Sequence, residues 1–301
     1  VLLDPREFVK RPIRWLRLLD RHRATTSPAP HFAYRLCLSI PDAQLAGLDL
    51  SRWRVAFNGA EPIELDTIDR FAEKLAPCGF RPSAMFPVYG LAEATLAVTL
   101  PSVGKNPVVE RVSRDSLVRA RSSDVRERVL ASNDDASATS IVSVGTPIAD
   151  MEIAIVDEEG RGLGDRAIGE IVVRGPSVMQ GYFRDETATR AVLSSGWLRT
   201  GDLGYRSNGA LFVTGRAKDL VIENGKNIYP EDVERSARRI DGVGRDGVIA
   251  VGMSRVDIDT ITRAPLEGCD ERTTFATQAD GERLVLLVET RITEPERRDH
   301  M

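Results

Sequence analysis

Four short stretches carry residue types that a ligand-handling protein uses. "NGAEP" at 58–62 follows the apolar run "WRVAF" and would present Asn58, Gly59, Ala60 and Glu61 at a strand end. "YGLAEATL" at 89–96 sets Tyr89, Gly90, Leu91 and Ala92 just ahead of Glu93, so a ring and a carboxylate lie four positions apart. Open α/β sheets bind ligands at the C-terminal ends of their strands, which puts Glu93 within reach of a metal ion or nucleotide. "GWLRTGDLG" at 196–204 holds Asp202 between glycines, where backbone can approach a ligand closely. "TGRAKDLVIENGKNIYPEDVE" at 214–234 is the densest, with Arg216, Lys218 and Asp219 between two apolar runs. Each stretch alone fits an ordinary turn as well as a ligand site. All four in this order point to one functional constellation.

Other motifs carry less. "GVGRDG" at 242–247 matches a dinucleotide fingerprint in letters, but it follows a helical pattern and precedes a strand. That order is the reverse of the one that brings a pyrophosphate to a helix N-terminus. "VGKN" at 103–106 lacks the flanking residues of a phosphate-binding loop and reads as a turn. His22 and His300 belong to no metal-ligand spacing, and His31, in "SPAPHFAY", is assigned a packing or loop role. "TGRAKD" has no glycine cradle and no helix close behind it, so it is not a phosphate loop either. The texture changes on its two sides, which makes it a joint.

The elements that must position these residues follow from hydrophobic periodicity. Apolar residues in 6–22 recur at helical spacing, with Pro12 tolerated at a first helical position. "WRVAF", a helix from Pro62 with Ile63, Ile68, Phe71 and Leu75 on one side, and "AMFPVYG" give strand, helix, strand, the signature of a mostly parallel sheet. Residues 113–140, rich in Ser, Arg and Asp, read as a long exposed insertion or mobile loop. "MEIAIVD", "GEIVVRG" and "GYRSNGALFVTG" then suggest a small antiparallel barrel or sheet, with Asn208-Gly209 as a hairpin turn. Past the joint, a second Asn-Gly hairpin, a helix from Pro230 to about Arg239 and the strands "GVIAV" and "RLVLLVE" form an α+β module. Residues 253–282 receive no assignment.

Composition narrows the partners. A net charge of −4 gives no basic excess, which argues against nucleic acid or an anionic membrane surface. The longest apolar run, "LVLLV" at 284–288, is far too short to span a bilayer, so no stable membrane insertion is expected. Three widely spaced cysteines, Cys37, Cys78 and Cys269, make neither a disulfide framework nor a zinc site. With no leader-like segment at the start, the expected compartment is the cytoplasm.

Taken together, the motifs resemble the adenylate-forming superfamily of acyl-CoA synthetases, peptide-synthetase adenylation domains and luciferases. The superfamily's aromatic-Gly-x-x-Glu motif matches Tyr89, Gly90 and Glu93; its Thr-Gly-Asp motif matches Thr200, Gly201 and Asp202. Its hinge motif matches Gly215, Arg216, Lys218 and Asp219. "RATTSPAPHFAYRLC", "FNGAEPI", "GFRPSAMFPVYGLAEATL" and "GKNIYPEDVE" are similar, almost word for word, to the fatty acyl-AMP ligase branch. That branch carries an insertion after the Glu-bearing motif, and here 52 positions separate Glu93 from the "GTP" at 145–147.

The resemblance implies an α/β fold: the later part of a large N-terminal domain, followed by part of an α+β C-terminal domain. Its divisions would be an α/β portion at 1–100, a β-barrel portion at 101–217 carrying the insertion, and a C-terminal portion at 218–301. It implies activation of a fatty acid by ATP and Mg2+ to an acyl-adenylate, then transfer to the phosphopantetheine thiol of an acyl carrier protein or polyketide synthase carrier domain. Glu93 would help hold Mg2+, and Asp202 would accept hydrogen bonds from both ribose hydroxyls. Tyr89 would stack on adenine, which the backbone of Gly59, Ala60 and Glu61 would line. Arg216 would anchor the ribose, and Lys218 would be the pivot of a domain rotation. The superfamily's triphosphate-gripping loop is expected before residue 1 and its catalytic C-terminal lysine beyond residue 301. An acyl-CoA synthetase and a non-catalytic nucleotide-binding remnant remain as alternatives.

Overall fold

The helical periodicity of the first 22 residues is broken once, for a local reason. Arg11 precedes Pro12, and the residue before a proline is pushed out of the helical region; Arg11 sits at φ −146°, ψ 77°. Two helices result, Pro5–Lys10 (α1) and Ile13–Arg21 (α2), with Asp4 capping the first through the Arg6 amide. The computed structural model describes residues 1–113, 117, 138–217, 221–223, 226–228, 230–238, 240, 243–253, 274–275 and 283–290. The chain divides into two compact units, Val1–Thr214 and Gly215–Met301.

Three parallel strands form the first sheet of the larger unit, in the order Thr26–Pro30 (β1), Val55–Gly59 (β2), Met85–Pro87 (β3). The first of them, "TSPAP", escapes sequence reading because Pro28 and Pro30 donate no hydrogen bonds. Among the described residues it is an edge strand, where that loss is tolerated. β1 runs directly into the helix His31–Cys37 (α3), and a short helix Asp42–Leu45 (α4) follows. The helix expected from Pro62 begins three residues later, at Leu65, and runs to Leu75 (α5), leaving 60–64 as a loop. Trp53, Tyr34 and Phe71 are fully buried here, and Trp15 meets the Tyr34 and Trp53 rings edge-on at 5.4 and 5.2 Å. Each buried side chain of this size stabilises the fold by roughly 2–3 kcal/mol.

Two short ladders lead out of this sheet: Thr99–Leu100 (β4) with Thr146–Pro147 (β7), and Val109–Val112 (β5) with Thr139–Val142 (β6). β5 and β6 bracket the stretch 113–140; most of it lies outside the described residues, and Leu117 within it is buried beside Val112, Tyr205 and Phe212. The region expected as a barrel or sheet is antiparallel: Glu152–Val156 (β8), Gly169–Arg174 (β9), Leu193–Ser194 (β10), Trp197–Ser207 (β11) and Ala210–Arg216 (β12). β11 pairs with β9, β10 and β12. Asn208 and Gly209 both take positive φ, 50° and 81°, as the tight turn between β11 and β12 requires. Ile153, Ile155, Ile171, Val173, Leu198 and Leu211 alternate inward from this sheet and pack with Tyr89, Ala94 and Val98. The loop that carries Glu93 is therefore seated on the antiparallel sheet as well as on the end of β3.

In the smaller unit Val221–Glu223 (β13) pairs with Lys226–Ile228 (β14), and the connecting Asn224-Gly225 lies outside the described residues. The helix Pro230–Ala237 is tied to Val243–Met253 (β15) by Glu234, whose carboxylate accepts from the Ala250 amide at 3.0 Å. β15 pairs with Arg283–Thr290 (β17), which also pairs with Thr274–Phe275 (β16). Apart from β16, the unassigned stretch 253–282 lies almost wholly outside the described residues, as do Lys218 and Asp219. No helix among the described residues is long and apolar enough to cross a membrane.

Candidate functional site

Strands β2 and β3 end side by side, Asn58 opposite Pro87, and the loops leaving their C-terminal ends carry most of the expected site. Asn58 is fully buried, and its side chain meets His31 Nδ1 at 3.3 Å from Oδ1. The other ring nitrogen of His31, Nε2, accepts the Glu64 backbone N–H at 3.1 Å. That bond assigns the tautomer: Nε2 is bare, and Nδ1–H donates to Asn58. Burial holds the imidazole neutral, with its pKa lowered to about 4. In return, Glu61 Oε1 accepts the Phe32 N–H at 2.6 Å. The loop 59–64 is thus clamped to the first turn of α3 from both sides. Gly59 cannot be anything larger, because a Cβ there would lie 2.8 Å from the Val88 carbonyl oxygen.

Past β3 the chain makes a tighter loop. Tyr89 is buried and its carbonyl accepts from both the Val98 and Thr99 amides. The Gly90 Cα faces the Leu96 carbonyl so closely that a Cβ would sit 1.5 Å from its oxygen. A single 3-10 turn, Ala92–Ala94, presents Glu93. The loop closes through Thr95 and Leu96, consecutive non-glycine residues at φ 52° and 81°. Left-handed backbone costs such residues about 1–2 kcal/mol each, so the surrounding contacts hold the loop in this form. Glu93 is half-buried, and its Oε1 accepts the Tyr182 hydroxyl at 2.9 Å.

Asp202 arrives from the antiparallel sheet by a bulge. Between Arg199 and Leu203 the pairing of β11 with β9 shifts register, four positions on β11 against two on β9. Such a bulge turns side chains out of the sheet's alternation. Gly201 takes φ 74°, and a Cβ at that position would meet nothing within 4 Å. The glycine is therefore required by its backbone angle, and no protein atom crowds its open face. Thr200 Oγ1 donates to the Ile171 carbonyl and accepts from the Asp202 amide, and the Gly201 amide donates to Glu170. The carboxylate so placed is 6% exposed, and its Oδ2 accepts the Tyr89 hydroxyl at 2.7 Å.

The structure thus brings Asn58, Gly59, Tyr89, Gly90 and Asp202 into one connected region with Glu93 on the same loop. Leu91 accepts the Ala94 and Leu96 amides, and Ala92 is exposed. Ala60 is exposed at φ 68°, and the Glu61 carboxylate faces α3. Arg216 is exposed at the end of β12 and belongs to the smaller unit. Sequence reading missed Tyr182 and the hydrogen-bonding role of His31; both act through bonds to distant chain, which no local pattern marks. A recess of about 560 Å3 bounded by Asp42, Leu45, Lys74 and Cys78 contains no site residue.

Among the described residues no three His, Cys, Asp or Glu side chains gather as a metal nest. Glu93 Oε2 has no protein partner among them. One carboxylate completed by substrate phosphate oxygens and water is the manner in which Mg2+ is held, so the donor set fits that ion.

Residues 1–183 match the family described as AMP-binding enzyme. The chain belongs to the AMP-binding enzyme family. Among its relatives is the medium-chain-fatty-acid–[acyl-carrier-protein] ligase TtuA of Teredinibacter turnerae. It is 38% identical over 256 residues, covering 79% of this chain and 39% of the relative. The long-chain-fatty-acid–AMP ligase FadD26 of Mycobacterium marinum is 39% identical over 270 residues, covering 83% of this chain and 44% of that protein. A solved structure from a study of fatty acyl-adenylate ligases of E. coli and L. pneumophila aligns with TM-score 0.81 at 34% identity. It covers 98% of this chain and 48% of the solved one. The chain spans about two fifths of the length of these curated relatives.

Proposed function

We propose that the full-length protein activates a fatty acid as its acyl-adenylate, releasing pyrophosphate, and delivers the acyl group to the thiol of a carrier protein. The observation that carries this reading is the Tyr89–Asp202 bond beside the Glu93 loop, in a chain of the AMP-binding family. A carboxylic acid becomes reactive once its oxygen is joined to the α-phosphate of ATP, because AMP is then the leaving group. The obstacle is the approach of a carboxylate to a polyanion.

Each residue has a part in lowering that obstacle. Asp202 accepts hydrogen bonds from the ribose hydroxyls; one of its oxygens already accepts from Tyr89, and a carboxylate has about four acceptor sites. Tyr89, fixed by that bond, presents its ring to adenine, and Gly59, Ala60 and Glu61 line the base through their backbone. Glu93 would hold Mg2+, which when bound would supply positive charge against the phosphates. The reading extends to the joint. Gly215, the first residue of the smaller unit, stands at φ 144°, backbone that glycine adopts most readily, and Arg216 follows it. These support a hinge in which Arg216 contacts the nucleotide and Lys218 is the pivot.

The test is pyrophosphate release by the full-length protein with ATP, Mg2+ and fatty acids of medium and long chain. Asp202→Ala and Glu93→Ala are expected to abolish it, and normal release in either variant would overturn the assignment. Acyl transfer is read by adding a phosphopantetheinylated carrier protein or coenzyme A. Thioester formation on coenzyme A alone would replace the carrier-directed reading with that of an acyl-CoA synthetase.

A further inference from the structure

Glu93 is held in place by a segment almost ninety residues further along the chain. Three hydrogen bonds join the two. Thr95 Oγ1 donates to the Ser177 carbonyl at 2.8 Å, the Met179 amide donates to the Glu93 carbonyl at 2.7 Å, and the Tyr182 hydroxyl donates to Glu93 Oε1 at 2.9 Å. The first two fix the backbone on both sides of Ala94. The third fixes the carboxylate itself.

Tyr182 is a surface residue, and most surface tyrosines point where solvent lets them. This one is aimed. Its own amide donates to Thr189 Oγ1 at 2.9 Å, and that hydroxyl donates to the Asp185 carbonyl at 2.7 Å. Asp185 also caps the helix Glu186–Val192 through the Ala188 amide at 2.9 Å. Gly181 makes the close approach possible: it stands at φ 150°, and a Cβ there would lie 2.8 Å from Thr189 Cγ2. Gly181, Thr189 and Asp185 together build a platform whose product is the direction of one phenol.

We propose that Tyr182 is the positioning residue for the metal-binding carboxylate of Glu93, occupying Oε1 so that Oε2 is the oxygen offered to the cation. This rests on the reading of Glu93 as the Mg2+ ligand given above. A freely rotating glutamate at a half-buried position would present either oxygen in several rotamers. Tying one oxygen to an oriented donor removes that freedom, which is how outer hydrogen bonds sharpen a metal ligand.

The experiment uses the full-length protein with ATP and Mn2+ as the probe, titrated by electron paramagnetic resonance, so that binding is read without turnover. Tyr182→Phe is expected to weaken Mn2+ binding to the ATP complex about tenfold, the lower end of what loss of such an outer partner costs. AMP binding without metal is expected to stay unchanged, as is the thermal midpoint. In a Glu93→Gln background Tyr182→Phe is expected to have no further effect, because the two act as one unit. If Glu93→Gln weakens Mn2+ binding and Tyr182→Phe does not, the role of Tyr182 is overturned while that of Glu93 stands. If Glu93→Gln leaves Mn2+ affinity unchanged, the Glu93 reading falls and this inference with it. Additive losses in the double variant would also overturn it, because Tyr182 would then act elsewhere.

Discussion

The Tyr89 hydroxyl donates to the Asp202 carboxylate across 2.7 Å, and this bond joins the end of the parallel sheet to the bulge of the antiparallel one. Hydrogen bonds to a buried carboxylate are charge-assisted and stronger than neutral ones. Tyr89→Phe keeps the ring and removes the donor. It is expected to lower stability by about 1–2 kcal/mol and to weaken AMP binding several-fold. Asp202→Ala removes the carboxylate altogether and is expected to weaken AMP binding about 100-fold, the worth of two charged hydrogen bonds. Calorimetric titration with AMP, paired with urea denaturation, checks both; equal AMP affinity in Tyr89→Phe and wild type would detach the phenol from the site.

Gly90 faces the Leu96 carbonyl with no space for a methyl group. Gly90→Ala is expected to force the 90–96 loop open, costing at least about 2 kcal/mol and most of the pyrophosphate-releasing activity. The comparison is Gly209→Ala, at a turn where a Cβ meets nothing within 4 Å. That variant is expected to lose only the cost of left-handed backbone, about 1–2 kcal/mol, and to keep its activity. Similar activity in the two would show that the loop tolerates reshaping.

Leu96 offers the converse test. It is 75% exposed and stands at φ 81°, so its side chain contributes little burial and its backbone is strained. Leu96→Gly is therefore expected to leave unfolding free energy unchanged or raise it by up to about 1 kcal/mol. Urea denaturation reads this directly, and a loss above about 1 kcal/mol would mean that the left-handed angle carries no strain.

His31 makes stability depend on pH. Its folded pKa is about 4, against 6.5 in an unfolded chain. Between those values the unfolded chain binds a proton that the folded chain does not. The contribution of neutral His31 is complete above pH 6.5 and is lost as pH falls toward 4, by up to about 3 kcal/mol. Denaturation curves at pH 7, 5.5 and 4 for wild type and His31→Gln are expected to converge as pH falls. Parallel curves would remove His31 from the acid response.

Much of this was legible in the residues, and the exceptions share a cause. The order of strand, helix and strand, the Asn208-Gly209 turn and the antiparallel run after residue 150 follow from local periodicity and turn chemistry. Tyr89, Gly90, Glu93 and Asp202 stand out only through the order of their stretches along the chain, because each stretch alone fits an ordinary turn equally well. β1 was hidden by its two prolines, which belong on an edge that only the assembled sheet defines. The two-helix start depended on Arg11, whose constraint comes from its neighbour and not from its own propensity. His31 and Tyr182 stayed out of sight because their partners lie 33 and 89 residues away in sequence. A close reading of "RTGD" finds the aspartate, but the bulge that aims it exists only in the pairing of two strands.

The 113-residue span between Tyr89 and Asp202 also sets a schedule for synthesis. At roughly 5–20 residues per second, the ribosome needs on the order of ten seconds after Tyr89 to make Asp202. During that interval the parallel sheet has its strands, but the phenol lacks the acceptor that locks it, and the 90–96 loop lacks Ser177, Met179 and Tyr182. On the function proposed above, a nascent chain halted before β11 would have no complete nucleotide site, so AMP would not act there as an early folding ligand. Nucleotide binding at the proposed site would then report that the antiparallel sheet has already docked.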